Sequence, residues 1–456
     1  MMRDMNAAPK PLNWSDIINE LDELKLEELK HFKSKDYAVA KLISKIRELL
    51  KKNDFHLSYF NNRYYIYQDS YWNEILSDKV ELFLRDCTKK FYCKEIKYHT
   101  NTFYKPLEDS FRKEMKVFVE DNNKAILLNC RNCTLEFNQK EVLPREAKKE
   151  DYITYRLSYD YDPEATSPMW DSFLDEMLPS KDQQFLLHQY IGYSFTNNIK
   201  LEKALFLYGE GGNGKSVVQE VITELLGKEN TSCVSIGKLT KDQNAIMLIE
   251  GKLLNYCSEN ERRFNLAQFR TLASGEPLIG KKLYSDVRQV DRYAKLMFNM
   301  NSLPIVNEER ESFLRRLLIL EFNKKPKKKD PQLHYKIIEK ELNGIFNRIV
   351  KALYCLIQNK DFVDIPEINQ FISDYNNDTD IVHQFVDNYN GTTVISSPVK
   401  VSELHESYVI YCNKHKETPL NLISFSKDLN KKGFKPEKRK DGNYYNIKVE
   451  GGSTIH

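Results

Sequence analysis

The feature that most constrains this chain is a strand–loop–helix segment between residues 204 and 226. Of the 16 glycines in the 456-residue chain, four fall in this loop: Gly209, Gly211, Gly212 and Gly214. The apolar run 204–208 precedes them and predicts a buried strand, while the apolar periodicity of 217–226 predicts a helix that ends before Gly227. A chain that uses little glycine has therefore concentrated its backbone freedom in one connection.

The loop itself matches a known phosphate-binding pattern. It reads Gly-Glu-Gly-Gly-Asn-Gly-Lys-Ser, which fits G-x-x-x-x-G-K-[ST] in the strand and helix context that the pattern requires. Backbone N–H groups of such a loop point at a polyphosphate, and the following helix adds its N-terminal partial charge. We expect Lys215 to reach the β- and γ-phosphates and Ser216 to ligate Mg²⁺. The predicted nucleotide contacts are Gly209, Glu210, Gly211, Gly212, Asn213, Gly214, Lys215, Ser216 and Val217.

Three more apolar runs predict the sheet around this loop. They lie at 253–257, 295–300 and 317–322 and are separated by helical segments. Strands this apolar, alternating with helices, predict a parallel sheet covered on both faces, and therefore an α/β fold.

Acidic residues follow the first of these runs. A P-loop hydrolase needs a carboxylate at the end of a neighbouring strand, where it holds Mg²⁺ or polarises the attacking water. Glu259 is the first candidate, also as a metal ligand, and Glu261 is the second. The alternative is a solvated turn that carries ordinary surface acids.

Polar residues also flank the remaining strands. Asn301 follows the run 295–300 and is the candidate γ-phosphate sensor, with Asn299 inside that run as its rival. Arg315 and Arg316 precede the run 317–322, and either could reach a γ-phosphate across a subunit boundary. The alternative for this pair is a surface salt bridge.

Composition shifts and periodicity predict four regions. They are a helical N-terminal segment at 1–60, an α+β domain at 61–195, the P-loop core with a helical extension at 196–360, and a C-terminal domain at 366–450. In the last region, helical stretches at 380–389, 401–415 and 424–432 precede a hairpin with arms at 434–439 and 444–449, which together describe a winged helix. Lys438, Arg439 and Lys440 on the wing are candidate DNA contacts, and protein docking is the alternative.

Several classes of protein are not expected. The sequence contains no run of 18 apolar residues, so no membrane span is predicted, and the first residues form no secretory signal. Eight scattered cysteines favour a reducing, cytoplasmic location. Cys130 and Cys133 have no second close pair, and the segment 127–137 predicts strand–turn–strand rather than a zinc site. The formal net charge of +3 means that any nucleic-acid surface must come from local clusters of basic residues.

Taken in order, these segments resemble superfamily 3 helicases, and more narrowly the helicase portion of the phage, plasmid and poxvirus primase–helicase family. The matching motifs are the loop end 211–216, Ser258-Glu259, the stretch 272–284, Asn301 with Pro304, and the arginine pair 315–316. The stretch 272–284 is similar to the extra motif that distinguishes these helicases from other AAA+ proteins. The resemblance covers about 60–450, and it departs from the family where Asn132-Cys133 stands in place of the usual Asn-Gly.

The resemblance implies an AAA+ core that assembles as a homohexameric ring, hydrolyses ATP with Mg²⁺ at subunit interfaces and translocates on single-stranded DNA at a forked duplex, generally 3′→5′. It implies a channel-facing β-hairpin, whose basic candidates are Lys281, Lys282 and Arg288. A moving loop should contact phosphates and not read bases, and a solvated hairpin tip is the alternative. Only ~60 residues precede the matching region, too few for a polymerase-like fold, so a separate primase or polymerase is an expected partner. A replication initiator, or a nucleotide-switched scaffold that recruits a primase, is the alternative function.

Overall fold

The computed structural model describes residues 14–24, 34–119, 125–196, 199–259, 261, 264–281, 287–304, 310–378, 380–390, 398–415, 417 and 419–446. The chain divides into two compact units. The first unit comprises Met1–Ser167, Leu225–Gly227 and Ile337–Gln358, and the second comprises Pro168–Glu224, Lys228–Lys336 and Asn359–His456.

The first unit contains helices and two small antiparallel sheets. Its helices are α1 (Trp14–Glu20), α2 (Lys35–Lys52), α3 (Ser77–Phe91) and α4 (Asn101–Glu114), together with most of the later helix α12 (Leu333–Asn359). Its strands are β1 (Leu57–Phe60), β2 (Arg63–Gln68), β3 (Tyr71–Ile75), β4 (Ile126–Asn129), β5 (Thr134–Phe137) and β6 (Val142–Arg145). The sheets have the orders β1-β2-β3 and β4-β5-β6.

Helix α2 illustrates why the first unit folds as it does. The Ser34 side chain accepts a hydrogen bond from the Tyr37 amide and so caps the helix. Apolar residues spaced three or four apart, such as Leu42, Ile46 and Leu49, are buried in a core shared with α3 and α4. The sequence-based boundary near residue 60 falls in the turn between the paired strands β1 and β2, and the helices on either side of it share that core.

The strand–turn–strand prediction for 127–137 is confirmed. Strands β4 and β5 pair antiparallel, with Asn129 opposite Thr134, and the intervening turn carries Cys130 and Cys133. The described residues contain no group of three or more His, Cys, Asp or Glu side chains that could hold a metal ion.

The second unit is built on a five-stranded parallel sheet. Its strands are β7 (Ala204–Tyr208), β8 (Thr231–Ser232), β9 (Leu254–Glu259), β12 (Lys295–Met300) and β13 (Leu317–Glu321), in the order β13-β7-β12-β9-β8. The associated helices are α5 (Pro168–Met177), α6 (Lys181–Ser194), α7 (Lys215–Leu226), α8 (Ile236–Lys241), α9 (Gln243–Ile249), α10 (Leu266–Ser274) and α11 (Arg310–Leu314). Residues 204–207 of strand β7, which lies between β13 and β12, are fully buried. The predicted α/β fold with a parallel sheet is therefore confirmed.

A separate antiparallel hairpin lies between β9 and β12 in the chain. Strands β10 (Leu278–Lys281) and β11 (Val287–Val290) pair from Leu278 opposite Val290 to Lys281 opposite Val287. The stretch 272–284 predicted from the resemblance thus supplies one strand of a hairpin. Lys282 lies outside the described residues.

The C-terminal part contains helices α13 (Pro366–Asp378), α14 (Ile381–Asn390), α15 (Val401–Lys414) and α16 (Leu422–Lys431), and strands β14 (Val399–Lys400), β15 (Glu437–Arg439) and β16 (Gly442–Tyr445). Phe385, Tyr408, Phe425 and Tyr445 form their own core. The predicted hairpin arms were placed wrongly, because Arg439 pairs directly with Gly442 and the turn is only Lys440-Asp441. Strand β14, which the sequence did not suggest, pairs with β16.

In the part of the chain that the structure describes, no helix is both long enough and apolar enough to cross a bilayer.

Candidate nucleotide site

The candidate site residues lie together at the carboxyl ends of three parallel strands. Tyr208 at the end of β7 and Glu259 at the end of β9 both pair with Met300 at the end of β12. The loop 209–214 starts directly after β7, and the Gly209 amide donates to the Met300 carbonyl at 3.1 Å. Ligands of open parallel sheets bind outside the carboxyl ends of the strands, which is where these residues lie.

Glycine at position 214 is required by both conformation and space. Its φ is +84°, which a side chain rarely adopts, and a Cβ there would lie 2.8 Å from Cε2 of Phe173. Helix α5 therefore packs directly against the loop through Phe173. The sequence motif gave no sign of this contact, because Phe173 precedes the loop by more than 30 residues and belongs to an ordinary amphipathic pattern.

Lys215 is buried at the first position of α7 and folds back over the loop. Its Nζ donates to the carbonyl oxygens of Gly209 at 2.5 Å and Glu210 at 2.9 Å, and to Oδ1 of Asn213 at 3.0 Å. Burial lowers the pKa of this amine from its usual value, because a desolvated ammonium is disfavoured. An anion at the helix N-terminus would offset that penalty. The arrangement is thus suited to a polyphosphate.

Glu259 is held in place by two backbone amides. Only 4% of the residue is exposed, Oε2 accepts from the Ile236 amide at 2.7 Å, and Oε1 accepts from the Glu261 amide at 2.8 Å. Glu261 has a half-exposed side chain that lies 3.7 Å from Nζ of Lys241. Of the two acids, only Glu259 lines the cavity described below.

The two asparagines at the end of β12 both line the cavity but differ in exposure. Asn299 is buried, accepts from the Tyr256 hydroxyl at 2.9 Å and donates to Oε1 of Gln219 at 2.9 Å and Oγ of Ser258 at 3.3 Å. Asn301 is exposed and lines the cavity. Gln219 was missed in the sequence, although it stands four residues after Lys215 on α7 and so shares that face of the helix.

These residues surround one cavity of about 930 Å³ in the second unit. One part of the wall is polar and consists of residues 211–217 with Ser258, Glu259, Asn299 and Asn301. Another part is apolar and includes Met169, Phe173, Met177 and Leu333, and Lys328 and Lys329 also line the cavity. A cavity of this size with an apolar wall and a few convergent polar groups is typical of small-molecule sites.

The arginine pair lies at the amino ends of the strands, away from this cavity. Arg316 is 6% exposed and donates to Oγ of Ser274 at 3.0 Å, to the Ser312 carbonyl at 2.7 Å and to Oε2 of Glu202 at 3.0 Å. Its burial lowers the pKa of the guanidinium. The Arg315 side chain is 66% exposed and lies 4.0 Å from Glu202. Neither arginine reaches the cavity of its own chain, and only Arg315 is presented to solvent.

The candidate DNA contacts differ in whether an acidic side chain of the same chain already binds them. Lys281 is exposed at the end of β10, whereas Arg288 on β11 is ion-paired with the largely buried Glu250. On the C-terminal hairpin, Lys438 and Lys440 are exposed, and Arg439 donates from Nε and Nη2 to the carboxylate of Glu437 at 3.0 and 3.1 Å. Arg288 and Arg439 therefore have competing acidic partners within the chain.

Comparison with known proteins assigns two regions of the chain. Residues 30–179 match the family model described as "D5 N terminal like", and residues 207–316 match a "Family of unknown function (DUF5906)". Among curated proteins, none matches.

Two solved structures share the fold. They are described as the apo structure of NrS-1 C terminal region (305-718) and the A form apo structure of the same region. Each has 11% sequence identity and a TM-score of 0.51, and covers 88% of this chain and 98% of the other. At this identity the likeness concerns the fold alone. The two matching family models are together characteristic of phage and plasmid primase–helicase proteins, and they point to a protein of viral or plasmid DNA replication.

Proposed function

We propose that this chain is an ATP-driven replicative DNA helicase of the superfamily 3 type. Its AAA+ core would form a homohexameric ring that translocates 3′→5′ on single-stranded DNA. The observation that carries the proposal is the convergence of Lys215, Ser216, Glu259 and Asn301 on one cavity at the carboxyl edge of a parallel sheet. The two family matches, which point to replication, support the same conclusion.

The cavity fits ATP with Mg²⁺ by the chemistry of its donors. Mg²⁺ prefers oxygen ligands and binds through one or two carboxylates together with substrate phosphates. The Ser216 hydroxyl and the Glu259 carboxylate, which line the same cavity, would hold it, and it would neutralise phosphate charge. Glu259 would also orient and polarise the attacking water, Asn301 would contact the γ-phosphate, and the apolar wall at Phe173 would exclude water.

Lys215→Ala is expected to weaken ATP binding by about ten- to a hundred-fold. A hydrogen bond to a charged group contributes about 1.5–3 kcal/mol, and Lys215 is the cation that begins the helix facing the phosphates. Titration calorimetry with a non-hydrolysable ATP analogue measures the effect. Lys238→Ala, which alters an exposed lysine outside the cavity, is the matched control. Equal affinities for the Lys215 variant and the unaltered protein would contradict this assignment.

The combined variant Lys281→Ala and Lys282→Ala is expected to uncouple ATP hydrolysis from DNA. Basal hydrolysis should persist, but its stimulation by single-stranded DNA should be lost, because lysines at the hairpin end would supply phosphate contacts. The salt dependence of DNA binding should also flatten, by about one unit of slope for each phosphate contact removed. Arg288→Ala is the comparison, since that side chain is ion-paired with Glu250. Undiminished stimulation in the double variant would argue against a channel-facing hairpin.

The C-terminal part is proposed to act as a winged helix that contacts duplex DNA through Lys438, Arg439 and Lys440. The exposure of the two lysines supports this role, and the Glu437 pairing makes Arg439 the weakest of the three. Footprinting on the DNA of the parent element is expected to show protection that Lys438→Ala with Lys440→Ala removes, and a single preferred site would favour the alternative of an origin-binding initiator. Uniform protection that Lys438→Ala with Lys440→Ala leaves unchanged would instead favour a protein-docking module.

A further inference from the structure

Two cysteines meet beside the nucleotide site. The Sγ atoms of Cys233 and Cys257 lie 3.0 Å apart. Cys257 is buried in the middle of β9, whereas Cys233 is exposed and follows directly after the two-residue strand β8. Because Ser232 is the last residue of β8 paired to β9, opposite Asn255, Cys233 is the first residue beyond the ladder.

The segment that begins at Cys233 also positions Glu259. The Val234 amide donates to Oδ1 of Asn255 at 2.9 Å, and Nδ2 of Asn255 donates to the Val234 carbonyl at 3.0 Å. Two residues further on, the Ile236 amide donates to Glu259 at 2.7 Å. Cys257 and Glu259 are two residues apart on β9 and therefore face the same side of the sheet. The segment after β8 thus contacts Cys257 through Cys233 and the candidate catalytic acid Glu259 through the Ile236 amide.

We propose that Cys233 and Cys257 form a redox modification site, at which a small-molecule disulfide such as oxidised glutathione converts the two thiols reversibly into an intramolecular disulfide. In the first step the Cys233 thiolate attacks the glutathione disulfide, which forms a mixed disulfide and releases one glutathione thiolate. Cys257, after losing its proton to solvent, then attacks Sγ of Cys233 and expels the second glutathione. Two protein thiols are oxidised, and one glutathione disulfide is reduced to two glutathione molecules.

The order of the two steps follows from exposure. Cys257 is buried, so that a small-molecule disulfide in solution cannot reach it first. Cys233, which is exposed, is the accessible partner. Reduction by a dithiol would reverse both steps.

The consequence for hydrolysis rests on the proposed function. A disulfide needs a sulfur–sulfur distance of about 2.05 Å, so the two atoms must approach by about 1 Å. Strand β9 is paired with β12 along its whole length, Cys257 included, whereas Cys233 lies beyond the last β8–β9 pair, so the segment at Cys233 should move instead. That shift would carry the Ile236 amide relative to Glu259, and a misplacement of this size can cost up to about a hundred-fold in rate. Oxidation is therefore expected to slow ATP hydrolysis while ATP binding persists.

The test uses the full chain, incubated with oxidised glutathione, alkylated, digested without reduction and mapped by mass spectrometry. We expect a cross-linked peptide pair containing Cys233 and Cys257, lighter by two hydrogen atoms than the sum of the free peptides. It should disappear after treatment with dithiothreitol and be absent from Cys233→Ser, a change at an exposed position. Cys233 found only as a stable glutathione adduct or as an alkylated thiol would overturn the proposal. Cys130 and Cys133, which are close to each other in sequence, lie in other peptides and are distinguished in the same map.

Hydrolysis measured on the same samples tests the coupling. Oxidation should lower the rate of the unaltered protein reversibly and leave the rate of Cys233→Ser unchanged. A cross-linked protein with an unchanged rate would refute the coupling to Glu259. If the reduced protein hydrolyses no ATP at all, the proposed function fails, and the peptide map still decides whether the thiol pair is a modification site.

Discussion

Replacing Arg315 with alanine is expected to lower the rate of ATP hydrolysis by about 10³-fold or more and to leave ATP binding intact. An arginine that stabilises transition-state charge from a neighbouring subunit contributes about 10³–10⁵ in kcat. The Arg315 side chain is solvent-exposed and lies at the amino ends of the strands, whereas the cavity lies at their carboxyl ends. It could therefore act only on another subunit. Steady-state hydrolysis and analogue binding, measured on one preparation, separate the two effects.

Arg316→Ala is the matched control and should behave differently. Arg316 is buried and donates to Ser274, Ser312 and Glu202. Because its removal eliminates these three hydrogen bonds, we expect a loss of about 1–3 kcal/mol in the free energy of unfolding. The lower end applies, since Glu202 is half-exposed and solvent can replace part of the interaction. A chemical denaturation series on both variants measures this difference.

Complementation tests the action between subunits directly. Arg315→Ala and Lys215→Ala are each expected to be inactive alone. Mixed together, some interfaces would combine the intact loop of the first variant with the intact Arg315 of the second, and hydrolysis should return. No recovery on mixing, or full activity of Arg315→Ala alone, would refute the assignment.

Glu259→Gln is expected to bind ATP with little change in affinity and to hydrolyse it about 10²–10⁴-fold more slowly. A positioned carboxylate that acts on the attacking water contributes this much to the rate. The amide that replaces it is similar in size but accepts through only one atom, so the hydrogen bond from either the Ile236 amide or the Glu261 amide is lost. Single-turnover hydrolysis measures the chemical step apart from product release.

Glu261→Gln serves as the control for this experiment. Its carboxylate lies outside the cavity, near Lys241, so hydrolysis should stay within a few-fold of that of the unaltered protein. Equal losses in the two variants, or a loss confined to Glu261→Gln, would reverse the assignment of the two acids.

The choice between these acids shows how far the sequence can lead. The apolar run predicted that the strand ends at Cys257, and from that end Glu259 and Glu261 are equivalent turn residues. In the structure β9 continues to Glu259, because residues 254–259 all pair with β12. The carboxylate is then buried by contacts with Ile236, which is 23 residues away in the chain. A local pattern carries no information about such a contact.

The arginine pair was undecided for the same reason. The partners that bury Arg316 include Ser274 and Glu202, which are 42 and 114 residues away in the chain. By contrast, the loop at 209–216 and the apolar strands of the parallel sheet could be predicted, because the loop motif and each apolar run are patterns of residues adjacent in sequence. The shifted C-terminal hairpin and the strand β14 show that turn position and long-range pairing were the parts least accessible to sequence reasoning.

The most direct test of the central claim is displacement of a labelled strand from a forked DNA duplex that carries a single-stranded 3′ tail. We expect displacement by the unaltered protein only when ATP and Mg²⁺ are both present, and none by Lys215→Ala or Glu259→Gln prepared in parallel. ATP hydrolysis by the unaltered protein that single-stranded DNA does not stimulate, with no strand displaced, would contradict the account.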